Sequence, residues 1–164
     1  MQRYILRTLA TLCCVVTAYA ATAAEAPKIT DINGSWKMDA EKADIIAKGI
    51  LANIVKANPG IPAEQTALIE ASIVQDIKNS ASAPAFTIRS GKEAGVVELV
   101  AKDPEGNESV NALTVKSSKD KTFVVVDAED EESTITIVDK DHFSVTSASP
   151  AGDVTFYFAR EKAK

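Results

Sequence analysis

Cysteine is almost missing from this sequence: the chain of 164 residues has two, Cys13 and Cys14, side by side near its start. It has one histidine, His142, and one tryptophan, Trp36. Each scarcity closes a route. A zinc site wants three or four nitrogen or sulfur donors, and one imidazole cannot supply them, so "DKDH" (139–142) reads as a turn and no metal or other cofactor is expected. Nucleophilic catalysis lacks a G-x-S-x-G elbow, and His142 is the only imidazole a serine could lean on. No glycine-rich phosphate loop follows any strand. Paired carboxylates remain, but the acids fall in turns, on the polar sides of helices, or opposite the apolar face of a strand, as Glu98 does. The expectation is a protein that is not an enzyme.

Long apolar runs are also scarce. The one present, "TLATLCCVVTAYA" (8–20), follows a start that carries Arg3 and Arg7 and no acid. It has the length of a signal-peptide core, is too short to span a bilayer, and is followed by small-x-small sites at 18–20 and 21–23. Residues 1–24 are therefore expected to be a signal peptide, and residues 25–164 a single exported domain, periplasmic or secreted, with no membrane span. Leu12 before Cys13 argues against a lipid anchor. Cleavage after Ala24 removes both cysteines, so the domain is held by its own core without disulfides. It also removes Arg3 and Arg7, leaving 16 basic against 23 acidic residues and a net charge of −7. That balance disfavours nucleic acid and anionic membranes as partners.

What is present is periodic. "GSWKM" (34–38) reads as a strand. Asp39 is a suitable helix N-cap, and Ala43, Ile46, Ala47, Ile50 and Ile54 then recur at helical spacing. Pro59 ends that helix. A second starts near Pro62, a favoured first-turn residue, with Ile69, Ile73 and Ile77 in one stripe and Leu68 beside it. The two make a helical hairpin. Beyond residue 84 the period changes to two, in seven strands joined by short turns rich in Gly, Pro, Asn, Asp and Lys. In "STITIV" the threonines point outward and Ile135 and Ile137 inward; Phe143, Val145, Val154, Phe156 and Phe158 also point inward. The fold class is α+β: an antiparallel meander of about eight strands, an open sheet or a closed barrel, with the helical hairpin inserted after the first strand and packed at its mouth or on its face. Eight strands suffice for a barrel holding one small ligand.

Gly34-Ser35-Trp36 on the first strand and Arg160 on the last resemble the calycin pattern of lipocalins and fatty-acid-binding proteins. The order strand, helix–turn–helix, meander is similar to the fatty-acid-binding branch, and small exported bacterial proteins with a lipocalin-like sheet are the nearer comparison. The resemblance implies that Trp36 packs at the closed end under Arg160, a structural pair, and that the barrel carries a hydrophobic ligand without catalysis. It departs from that branch in strand number and in lacking an Arg-x-Tyr pair for a fatty-acid carboxylate. From the residues alone, Trp36 is a core anchor or a ligand platform.

The leading expectation is a small apolar ligand held between hairpin and sheet. Its candidate lining is Ile46, Ile50, Ile73, Ile77, Phe86, Ile88, Phe123, Val125, Phe143 and Phe156. The alternative is a protein-binding module, an inhibitor or assembly factor with a solid core, using the acidic run "DAEDEE". There Asp127, Glu129, Asp130, Glu131 and Glu132 crowd into six residues at a hairpin tip. Calcium would want a sharp turn with glycine there, and none is present. A solvated loop that keeps the hairpin soluble is the simplest role for it.

Overall fold

The computed structural model describes residues 28–162, apart from 104 and 149. The expected signal peptide lies outside the described residues. The elements in order are β1 (Gly34–Met38), α1 (Ala43–Ala57), α2 (Ala63–Ala81), β2 (Phe86–Ser90), β3 (Val96–Lys102), β4 (Glu108–Lys119), β5 (Thr122–Val126), β6 (Glu132–Asp139), β7 (His142–Ser147) and β8 (Val154–Arg160). Short 3-10 turns precede β1 and α1, at Ile29–Ile32 and Ala40–Lys42.

Every strand pairs antiparallel with its neighbours in the sequence, and β1 pairs with β8 through Trp36↔Arg160 and Met38↔Phe158. The sheet is thus a closed barrel of eight strands. Closure leaves no unpaired edge. The register follows the alternation, because a slip of one residue would turn every apolar side chain to solvent. Phe123 faces Ile135, Ile137 faces Phe143, and Val145 faces Phe156, all on the inner side. On the outer side Arg89 lies opposite Glu98 and binds it at 2.7 Å.

Asp39 does cap, but over a 3-10 turn: its carboxylate accepts from the Glu41 amide at 2.9 Å, and α1 begins after that turn. α1 buries Ala43, Ile46, Ala47 and Leu51. Asn58 folds back on the Ile54 carbonyl through its amide group. Pro62 differs from expectation: with φ −62° and ψ 147° it is extended and stands just before α2, where its carbonyl accepts from the Thr66 amide and hydroxyl. α2 fully buries only Ile77, and Leu68 is 73% exposed. The second half of α2 reaches the barrel corner; the first half has only α1 to lie against.

Two apolar clusters result. One fills the barrel, around Trp36, Ile88, Val97, Phe123, Val125, Ile135 and Phe143. The other glues the hairpin to the β1–β8 corner: Ala43, Ile46, Ala47 and Ile77, with Met38, Ile50, Ile73, Val74, Phe156 and Tyr157 against them. Asn53 of α1 fastens the hairpin to the β7–β8 loop, donating to the carbonyls of Gly152 at 3.0 Å and Asp153 at 3.2 Å. Among the described residues no helix is long and apolar enough to cross a membrane.

Candidate functional site

One end of the barrel is plugged. Trp36 is fully buried, and its indole N–H donates to the Ile32 carbonyl at 2.6 Å. The 3-10 turn carrying Ile32 therefore serves as the floor. Arg160 lies over the indole with its guanidinium carbon 4.2 Å from the ring centroid, within the reach of a cation–π contact. The same guanidinium donates to the carbonyls of Lys140 (2.9 Å), Asn33 (2.9 Å) and Asp31 (3.2 Å). Gly34 explains itself here. Its φ is +139°, and a β carbon would run into Arg160 Nη1. The glycine, the tryptophan and the arginine are one packing unit, and Trp36 is a core anchor.

Above Trp36 an aromatic stack leads toward the other end. Phe143 meets the indole edge-on at 4.7 Å and stacks on Phe158 at 4.9 Å, and Phe158 meets Phe86 edge-on at 5.3 Å. Such pairs contribute about 0.5–1.5 kcal/mol each beyond burial. Past these rings the barrel is not filled. A cavity of about 250 Å³ is walled by Phe86, Ile88, Leu99, Leu113, Ile135 and Val145 and floored by Phe143 and Phe158. Its rim is polar: Asn111, Asp127, Glu131, Ser133 and Ser147. A second hollow of about 340 Å³, reaching Ala101 and Ser109, shares Phe86, Leu99, Asn111 and Phe158 with it. Ser109, Asn111 and Ala101 are exposed although they point inward, so the barrel is open along β3 and β4 as well as at this rim.

The expected lining residues divide three ways. Phe86, Ile88 and Phe143 line the cavity. Phe123 and Val125 are packed into the barrel core. Ile46, Ile50, Ile73, Ile77 and Phe156 belong to the cluster between hairpin and barrel. Leu99, Leu113, Ile135, Val145, Phe158 and the polar rim complete the lining; none was among the expected lining residues, although Asp127 and Glu131 were expected to meet a protein partner. The signal for them was present: Val97 and Leu99 in "VVELV", like Leu113 and Val115 in "NALTV", alternate as the chosen strands do.

Two loops at the open end share one construction. Asp103 begins the β3–β4 loop, and its Oδ1 accepts from the amides of Glu105 (2.9 Å) and Asn107 (2.8 Å). Asp127 begins the β5–β6 loop and accepts likewise from Glu129 (2.8 Å) and Glu131 (3.0 Å). The fourth position of each loop takes positive φ, as Gly106 at 89° and Asp130 at 62°. The Asn107 side-chain amide, bound to Asp103 Oδ2 at 2.8 Å, and the backbone amides hold the Asp103 carboxyl below its ordinary range. The acidic run is thus an ordered loop, with Asp127 and Glu131 turned to the cavity rim. His142 sits at the opposite end, its Nδ1 2.9 Å from Asp139. The Asp141 amide first, and then His142, hold the Asp139 carboxyl low. Among the described residues no group of three or more His, Cys, Asp or Glu could hold a metal ion.

The arrangement can shelter a small, mainly apolar molecule and offer its polar end acids, hydroxyls and an amide. No protein-family model matches the chain, and no curated protein matches it.

Proposed function

We propose that this protein is an exported, non-catalytic carrier of a small hydrophobic ligand, of lipocalin-like type, with the ligand held inside the barrel. The observation that carries the proposal is the unfilled apolar cavity above the Phe143–Phe158 stack, in a barrel whose other end is tightly plugged. A barrel that served only as a scaffold gains stability from each added contact in its core, since an empty volume forfeits packing. The hairpin braces the β1–β8 corner beside the mouth rather than supplying the lining. The run 8–20 supports export.

The test is native mass spectrometry of the protein purified gently from the compartment in which it accumulates. A reproducible added mass of a few hundred daltons, lost on denaturation, is expected, and its loss in Leu113→Trp would place it in the barrel. A bare chain from every preparation would overturn the proposal. A second reading, docking to a basic protein partner, draws on the ordering of the Asp127 loop, which presents Glu129, Asp130 and Glu132 to solvent. A polypeptide co-purifying with the native chain and lost on charge reversal at those three residues would favour it.

A further inference from the structure

We propose that the ligand is an amphiphile with a cationic head, a small alkyl or aromatic ammonium, and that the mouth discriminates against carboxylates. The inference rests on the carrier reading above and specifies the chemistry of the same cavity. Its first support is the composition of the rim. The cavity lining includes Asp127 and Glu131 and no lysine, arginine or histidine. Asp127 Oδ1 is engaged by its own loop, but no partner binds Oδ2 among the described residues, and the Glu131 side chain has none either. A bound carboxylate would meet two like charges and no cation. An ammonium would meet two acids, with the Asn111 amide and the Ser133–Ser147 hydroxyl pair, 3.0 Å apart, as further acceptors.

The second support extends beyond the rim and lies in the distribution of charge over the barrel. Besides Asp127 and Glu131, the three loops at the open end (103–107, 127–131 and 148–153) carry five acids and no base. The three at the plugged end (91–95, 120–121 and 140–141) balance three lysines against three acids. The hairpin beside the mouth does not offset this, since residues 40–81 hold five acids and four lysines. A field of one sign focused at a low-dielectric opening raises the local concentration of the opposite ion. The space suits an amphiphile: the cavity of about 250 Å³ and the adjoining hollow of about 340 Å³ together fall within the range of about 300–1,000 Å³ typical of small-molecule sites.

The experiment compares three probes with one tail, octylammonium, octanol and octanoate, titrated into the full exported chain by calorimetry at low and high salt. The expected order is ammonium, then alcohol, then carboxylate, with a gap of about tenfold between the first two that narrows as salt screens the rim. Glu131→Gln should lower the ammonium affinity severalfold and leave octanol unchanged. Glu129→Gln, in the same loop but outside the lining, should change it less. Equal binding of all three probes, or preference for octanoate, would overturn the head-group assignment while leaving the carrier reading intact. Failure of all three to bind would overturn the carrier reading itself.

Discussion

Replacing Arg160 by methionine tests the plugged end of the barrel most sharply. Methionine keeps an apolar cover over Trp36 but removes the guanidinium's three hydrogen bonds and its cation–π contact. The bond to Asn33 is partly buried, and a charged hydrogen bond of that kind contributes about 1.5 kcal/mol. The two bonds to Lys140 and Asp31 are exposed and their acceptors regain water, so they contribute about 0.5 kcal/mol each at the low end of the range. The ring contact adds about 0.5–1 kcal/mol. The expected loss is about 3 kcal/mol, seen in urea as a midpoint lowered by about 1–2 M. A domain of this size, stable by about 5–15 kcal/mol, should still fold. The double-mutant cycle with Gly34→Ala carries the reasoning further. Alanine at Gly34 suffers both the positive φ and the collision with Arg160. In the Arg160→Met background only the backbone strain should remain, because methionine can turn aside. A coupling of at least about 1 kcal/mol is therefore expected. Strict additivity, or an Arg160→Met loss under about 0.5 kcal/mol, would refute the claim that Gly34, Trp36 and Arg160 act as one unit.

Other consequences follow from the loops and the hairpin. Asp130 holds φ at 62° where the sister loop has Gly106, so Asp130→Gly should stabilise the protein by about 0.5–1 kcal/mol in thermal or urea unfolding; destabilisation would mean the Asp130 side chain has a role not seen in its contacts. Asn53→Ala removes both bonds that tie α1 to the β7–β8 loop. It should cost about 1 kcal/mol and speed amide exchange in α1 and α2 more than in β4–β6; uniform protection would contradict the hairpin's role as a separately fastened element. The Asp103 carboxyl titrates below its unfolded value, so its contribution is present above the unfolded pKa of about 3.9 and is lost as pH falls through the lower folded value. Asn107→Ala should raise the Asp103 pKa in a carboxyl NMR titration, since Asn107 is the largest cause of the depression; an unmoved pKa would leave that cause without support.

Much of the fold was legible because it is local. Alternation in β6, β7 and β8 fixed which residues face inward, and the turn residues fixed the meander. The Gly34-Ser35-Trp36 stretch and Arg160 marked the plugged end, and the barrel joins them through one register pair, Trp36↔Arg160. Closure itself was not legible: it depends on whether β1 reaches β8, a contact between residues more than a hundred positions apart. The hairpin was visible as a pair of amphipathic helices, but an apolar stripe says that something is buried and not against what. Ile46, Ile50, Ile73 and Ile77 were correctly seen as one side of their helices, yet the surface they meet is the β1–β8 corner. The same gap explains Leu68, whose spacing suits a buried position while no part of the barrel lies beneath it. The rim was read as a solvated acidic tip because the inward turn of Asp127 and Glu131 follows from carrying the alternation of β5 and β6 past the strand ends.

The most direct test of the proposed binding cavity is a methyl-labelled NMR titration of the protein with octanol. Shifts should concentrate on the methyls of Leu99, Leu113, Ile135 and Val145, while Ile46 and Ile77 under the hairpin stay still. Shifts confined to Ile46, Ile73 and Ile77 would instead place the ligand between hairpin and sheet. Unmoved spectra at saturating probe would contradict a binding cavity in this barrel.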